Sequence, residues 1–82
     1  MPTIVIDGFR FRFYSSDRFE PPHVHVLRDG KEAKVWTSPI ALQHNYGYTQ
    51  RELREILRLV GAHAERLLEA WNGYFTDLAP RD

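Results

Sequence analysis

The chain has 82 residues, 43% hydrophobic and 27% charged, with eleven Lys and Arg balancing eleven Asp and Glu. That length holds one domain, residues 1–82, with a limited core, and the composition belongs to a folded globular protein and not to a disordered tail. Zero net charge argues against nucleic-acid binding by bulk charge, no apolar run approaches a membrane span, and the absence of cysteine excludes disulfides, thiolate metal sites and thiol nucleophiles.

Met1-Pro2-Thr3-Ile4 is strand-like and lacks a basic-then-apolar leader, so a cytoplasmic protein without membrane association is expected. Ile4-Val5-Ile6 leads into Asp7-Gly8, and Phe9-Arg10-Phe11-Arg12-Phe13 leads out, which predicts a hairpin with a two-residue turn. Counting outward from the turn pairs Ile6 with Phe9, Val5 with Arg10, Ile4 with Phe11 and Thr3 with Arg12. Ser15 to Pro22 is a polar connection, in which Pro21-Pro22 bars a helix and sets an extended approach to His23.

His23-Val24-His25-Val26 alternates with a period of two, which puts both imidazoles on one face of a strand. Asp29-Gly30 predicts a second hairpin, pairing Arg28 with Lys31, Leu27 with Glu32, Val26 with Ala33, His25 with Lys34, Val24 with Val35 and His23 with Trp36. One face, Val24, Val26, Ala33 and Val35, requires a core. The other carries His23, His25, Leu27, Glu32, Lys34 and Trp36.

Ser38-Pro39 ends the fourth strand, and residues 38–48 read as a connection whose Ile40-Ala41-Leu42 is too short to assign. From Tyr48 the period changes to three and four. Thr49 is the predicted N-cap, Glu52 completes a capping box, and Tyr48 with Leu53 occupies the hydrophobic-staple positions. Leu53, Ile56, Leu57, Val60, Ala64, Leu67, Leu68 and Trp71 form the apolar stripe of a helix over 49–73, stopped by Asn72-Gly73. A tail over 74–82 follows, with Tyr74 and Phe75 folding onto the sheet and Pro80-Arg81-Asp82 frayed. The expected fold is α+β: an antiparallel sheet of two consecutive β-hairpins (ββββα, residues 1–37) covered on one face by the long C-terminal helix.

The outward face would then gather Arg10, Arg12, His23, His25, Glu32, Lys34 and Trp36, a cationic and aromatic surface on a neutral protein. An indole facing water suggests that the Pro21-Pro22 loop, a second subunit or a ligand covers Trp36. The leading expectation is a binding face for a partner protein or RNA, with Arg10, Arg12, Trp36 and Glu32 as contact residues. The alternative is a metal-independent endoribonuclease, in which His23 and His25 act as acid and base and Lys34 stabilises the phosphorane charge. A third reading places a metal at the His-x-His pair, with Glu32, His44 or Glu20 as the further ligand. Lys34 opposite His25 would repel a cation, so no metal ligand is assigned and no cofactor is expected. Nothing in the chain matches a nucleophile elbow, P-loop or dinucleotide fingerprint.

Phe13-Tyr14-Ser15, Pro21-Pro22-His23-Val24-His25-Val26, Glu32-Ala33-Lys34-Val35-Trp36, Asn45, Gly47, Glu52-Leu53 and Trp71-Asn72-Gly73-Tyr74-Phe75 together resemble the small prokaryotic domain-of-unknown-function family 4160. The resemblance implies a short stand-alone cytoplasmic protein, often encoded beside another small domain, in the manner of a toxin–antitoxin pair. It therefore implies a small partner protein from a neighbouring gene; RNA on the outward face and a second copy of so small a chain are the other partners expected. It carries over no catalytic residue.

Overall fold

The structure, a computed structural model, describes residues 3–78. Five strands, β1 (Thr3–Ile6), β2 (Phe9–Arg12), β3 (His23–Arg28), β4 (Lys31–Thr37) and β5 (Ile40–Tyr46), form one antiparallel meander in sequence order. A 3-10 turn, Ser15–Phe19, joins β2 to β3, and two helices, α1 (Gln50–Ala62) and α2 (Ala64–Leu78), complete an α+β fold.

Both hairpin registers match the sequence expectation pair by pair. Their turns adopt positive φ at Asp7 and Gly8 and again at Asp29 and Gly30, the backbone that a two-residue connection requires and that Asp-Gly supplies at least cost. β2 then pairs with β3, so that Phe11 opposes Val26 and Arg12 opposes His25. One face of the sheet packs Phe9, Phe11, Val24, Val26, Ala33 and Val35 into a core with Leu53, Ile56, Leu59, Val60, Leu67 and Trp71 of the helices.

Three features differ from the expected ββββα arrangement. Residues 38–48, expected as a connection, contain the edge strand β5, whose period of two is broken by a bulge: Val35 opposes Leu42 but Lys34 opposes His44, leaving Gln43 as the extra residue. The single helix is two, because the chain leaves helical geometry at His63, the C-cap of α1, whose N–H still donates to the Leu59 carbonyl. The stop expected at Asn72-Gly73 is passed over. Trp71 packs against the tilted ring of Phe75, centroids 4.3 Å apart, and meets Phe13 edge-on at 5.4 Å, and this packing carries α2 through Gly73 as far as Leu78. The tail expected over 74–82 is thus helical at its start, while Pro80, Arg81 and Asp82 lie outside the described residues.

The start of α1 is as expected. The Thr49 hydroxyl accepts from the Glu52 N–H at 3.1 Å, and the Glu52 carboxylate accepts from the Thr49 N–H at 2.9 Å. Tyr48 anchors this end to the sheet, its hydroxyl donating to the Val26 carbonyl at 3.0 Å.

On the face away from the core the register lays out transverse rows. The first runs Val5, Arg10, Leu27, Glu32 and Tyr46 across all five strands, and the second runs Thr3, Arg12, His25, Lys34 and His44. The third holds His23, Trp36 and Ala41. These rows position every candidate residue.

Candidate functional site

His23 and His25 project from the same face of β3, as their spacing requires, but they are not on an open surface. His23 is 0% exposed and His25 9%, because the 3-10 turn folds over them and Trp71 closes on His23 with ring centroids 5.1 Å apart. The expectation of an outward-facing, solvated histidine pair is therefore corrected. The Ser15 to Pro22 connection, read only as a polar loop, is the lid of the site.

Asp17 organises that lid. Its N–H donates to the Tyr14 carbonyl at 2.9 Å and its carboxylate accepts from the Tyr14 N–H at 2.8 Å, a reciprocal pair that closes the 3-10 turn on itself. The same buried carboxylate lies between both histidines. Oδ2 is 2.9 Å from His25 Nε2, and Oδ1 is 3.2 Å from His23 Nε2. The first contact has hydrogen-bond geometry. The second does not, and His23 Nε2 is a buried nitrogen with no hydrogen-bond partner.

The far side of each ring is also held. His23 Nδ1 lies 2.9 Å from the Pro21 carbonyl, and because a carbonyl only accepts, Nδ1 carries the proton. His25 Nδ1 lies 3.1 Å from Glu32 Oε2, the diagonal reach across the β3–β4 ladder that the register allowed. The double proline serves this arrangement with its carbonyls: Pro21 takes His23, and Pro22 accepts from both the N–H and the hydroxyl of buried Thr37, which fixes the loop to the end of β4. Tyr14 covers His25, ring centroids 4.6 Å apart.

The remaining predicted residues divide. Lys34 opposes His25 in register, yet its ammonium turns to Glu20 Oε1 at 2.6 Å and lies over the Trp36 ring, 5.1 Å from its centre. That hydrogen bond holds the Glu20 carboxyl below its ordinary range. Trp36 is half-buried and meets His23 edge-on at 5.4 Å, so the cover that its indole called for is His23 on one side and the Lys34 side chain on the other. Arg12 is half-buried beside His25 and Arg10 is exposed in the first row. His44, weighed as a ligand, sits on β5 against Tyr46, ring centroids 3.9 Å apart, and Glu20 belongs to Lys34.

Asp17 was missed by sequence reasoning. The only local signal is Tyr14-Ser15-Ser16-Asp17 shortly after a strand, where an Asp three residues beyond Tyr14 can close a turn on its own backbone. Nothing in the sequence says that such a turn folds back over β3.

Chemically, the site offers two imidazole nitrogens and a carboxylate converging in a largely closed space. Among the described residues it is the one group of His, Asp or Glu side chains close enough to share an ion, with ligand atoms within 4.8 Å of one another. For phosphodiester chemistry it gives His25 an orienting carboxylate, but the enclosure of His23 leaves that ring no exposed surface for a substrate.

Comparison with protein families matches residues 8–72 to the domain of unknown function DUF4160. The chain belongs to this family. The matched span of the DUF4160 domain takes in Asp17, His23, His25, Glu32 and Trp71, and hence the whole buried cluster. Comparisons with curated proteins and with solved structures give no match.

Proposed function

We propose that this DUF4160 domain is a small cytoplasmic interaction module, one half of a toxin–antitoxin-like pair, and that it takes a partner protein on the first row of its outer sheet face. The observation that supports this reading is the composition and exposure of that row. Val5 and Tyr46 at its two ends are 64% and 65% exposed, Arg10 is exposed between them, and Leu27 and Glu32 fill the middle. An aromatic residue, an arginine and aliphatic side chains in one line are the residue types concentrated in protein interfaces, where Tyr and Arg carry much of the affinity.

β5 adds to this. It is the last strand of the sheet, so among the described residues it presents a free backbone edge, with exposed Tyr46 on the outer face and exposed Ile40 and Leu42 on the core side. No helix among the described residues is long and apolar enough to cross a membrane, so these side chains are not read as part of a membrane-spanning helix. Zero net charge favours a protein partner over RNA.

The test is co-purification of the chain with the product of the neighbouring gene, followed by Arg10→Glu and Tyr46→Glu. Both residues are exposed, so the fold should tolerate the changes, and stable association that is lost in either variant is the expected result. Association unchanged by both substitutions, or absent from the start, overturns the reading. Retention of RNA in place of protein, with affinity falling steeply as salt rises, would move the function to the nucleic-acid alternative.

A further inference from the structure

From the buried cluster beneath the 3-10 turn we infer a second property: Asp17, His23 and His25 form a binding site for one first-row divalent transition-metal ion, with Glu32 and the Pro21 carbonyl as its outer shell.

The orientation of the two rings carries this. Each imidazole directs Nδ1 at an oxygen outside the cluster, the Pro21 carbonyl at 2.9 Å for His23 and Glu32 Oε2 at 3.1 Å for His25. Each therefore directs Nε2 inward at Asp17. Metal-bound histidines characteristically show this pattern, one nitrogen on the ion and the other donating to a carbonyl or carboxylate that fixes the tautomer and raises ligand basicity. Here both histidines have it.

A missing partner makes the same point independently. His23 Nε2 is fully buried, has no hydrogen-bond partner, and faces Asp17 Oδ1 at 3.2 Å. With the ring neutral and its proton on Nδ1, two acceptors face each other and repel, and an unsatisfied buried nitrogen is costly. His25 has the related difficulty that it stands between two carboxylates and, when neutral, can donate to only one. One cation shared by both Nε2 atoms and Asp17 removes both conflicts. His25 then keeps its Nδ1 proton on Glu32.

Spacing and charge agree. Two ligand atoms on one ion at about 2.0–2.2 Å lie roughly 3–3.5 Å apart; Asp17 Oδ2 is 2.9 Å from His25 Nε2 and Asp17 Oδ1 is 3.2 Å from His23 Nε2, and one ligand atom from each of the three residues lies within 4.8 Å of the others. Asp17 and Glu32 supply two negative charges. The objection raised by Lys34 opposite His25 is met by Glu20, which draws that ammonium away. Arg12, beside His25 on β2, is the one other cation in the row. Two imidazoles with one carboxylate suit zinc, iron(II) and neighbouring ions and do not suit magnesium or calcium, which prefer all-oxygen shells.

The experiment uses the full chain without an affinity tag, stripped with chelator and titrated with Zn2+ by calorimetry and with Co2+ by visible absorption. The expected result is one equivalent bound, with ligand-field bands for Co2+ and a raised melting temperature. Glu32→Gln should weaken binding by about 10- to 100-fold, as for other outer-shell partners. Asp17→Asn and His23→Gln should abolish it, whereas His44→Gln and His63→Gln should bind like the parent. Uptake by the unsubstituted protein is read directly, so a variant that fails to fold does not obscure the answer. No saturable uptake of either ion, or uptake lost with His44 or His63 but retained without His23, overturns the assignment.

Discussion

The Lys34 ammonium lies 2.6 Å from Glu20 Oε1 although its backbone stands opposite His25, so the cation in register with the histidine is paired away from it. This pair links β4 to the end of the lid. Because it is open to solvent, Lys34→Ala is expected to leave the urea midpoint nearly unchanged. The Glu20 carboxyl, now held low chiefly by the Lys34 hydrogen bond, should titrate closer to its ordinary value in that variant, measured by NMR. An undisturbed Glu20 titration would mean the pair does not persist in solution.

Ile56 and Phe11 are 0% and 1% exposed, both in the core between the sheet and the helices. Ile56→Ala is expected to cost about 2–5 kcal/mol and Phe11→Ala about 3–5 kcal/mol in urea melts, from lost burial and the cavity left behind. Leu57, on the expected apolar stripe, is only half-buried while Leu59 is 2% exposed, so Leu57→Ala should cost less than either. Equal losses at Leu57 and Ile56 would show that α1 is rotated from the position described.

Glu52 joins the helix cap to the β3–β4 hairpin. Its carboxyl is lowered from 4.5 to about 2, first by the Thr49 N–H, then by Lys31 and Arg28. A depressed folded-state value means that the ionised group contributes stability above pH 4.5 and that the contribution is lost as pH falls through about 2. Thermal melts of the parent and Glu52→Gln should therefore differ most near neutrality and converge at the acid end. A constant gap across that range would assign the effect to the cap geometry and not to charge.

Much of this fold is legible in the chain because Asp7-Gly8 and Asp29-Gly30 are each short enough to set a register without ambiguity, and every pair counted from them is found. β5 was not legible. Gln43, His44 and Asn45 are polar and the bulge breaks the alternation, so neither composition nor period marks a strand. The helix break at His63 has no proline and only Gly61 nearby, and its apolar stripe continues across it. The site was half visible: His23, His25 and Glu32 follow from local periodicity, whereas Asp17 reaches them through the return of a five-residue 3-10 turn, a tertiary event with no spacing rule behind it.

The extra residue in β5 decides which way the end of that strand looks. Ile40 and Leu42 share the core face with Val35 and Thr37, yet two residues beyond Leu42 the side chain of His44 stands on the other face with Lys34, and Tyr46 with Glu32. Asn45 is thereby turned to the core side, where its amide accepts from the Tyr48 N–H and donates to the Tyr48 carbonyl, both at 3.0 Å. Gln43 thus acts as a half-turn switch in the ribbon. Were Gln43 instead drawn into the ladder as an ordinary strand residue, Tyr46 and Asn45 would exchange faces, removing the aromatic end of the outer row and the clasp that hands the chain to α1 in one step; excising Gln43 would leave both on the faces they hold now.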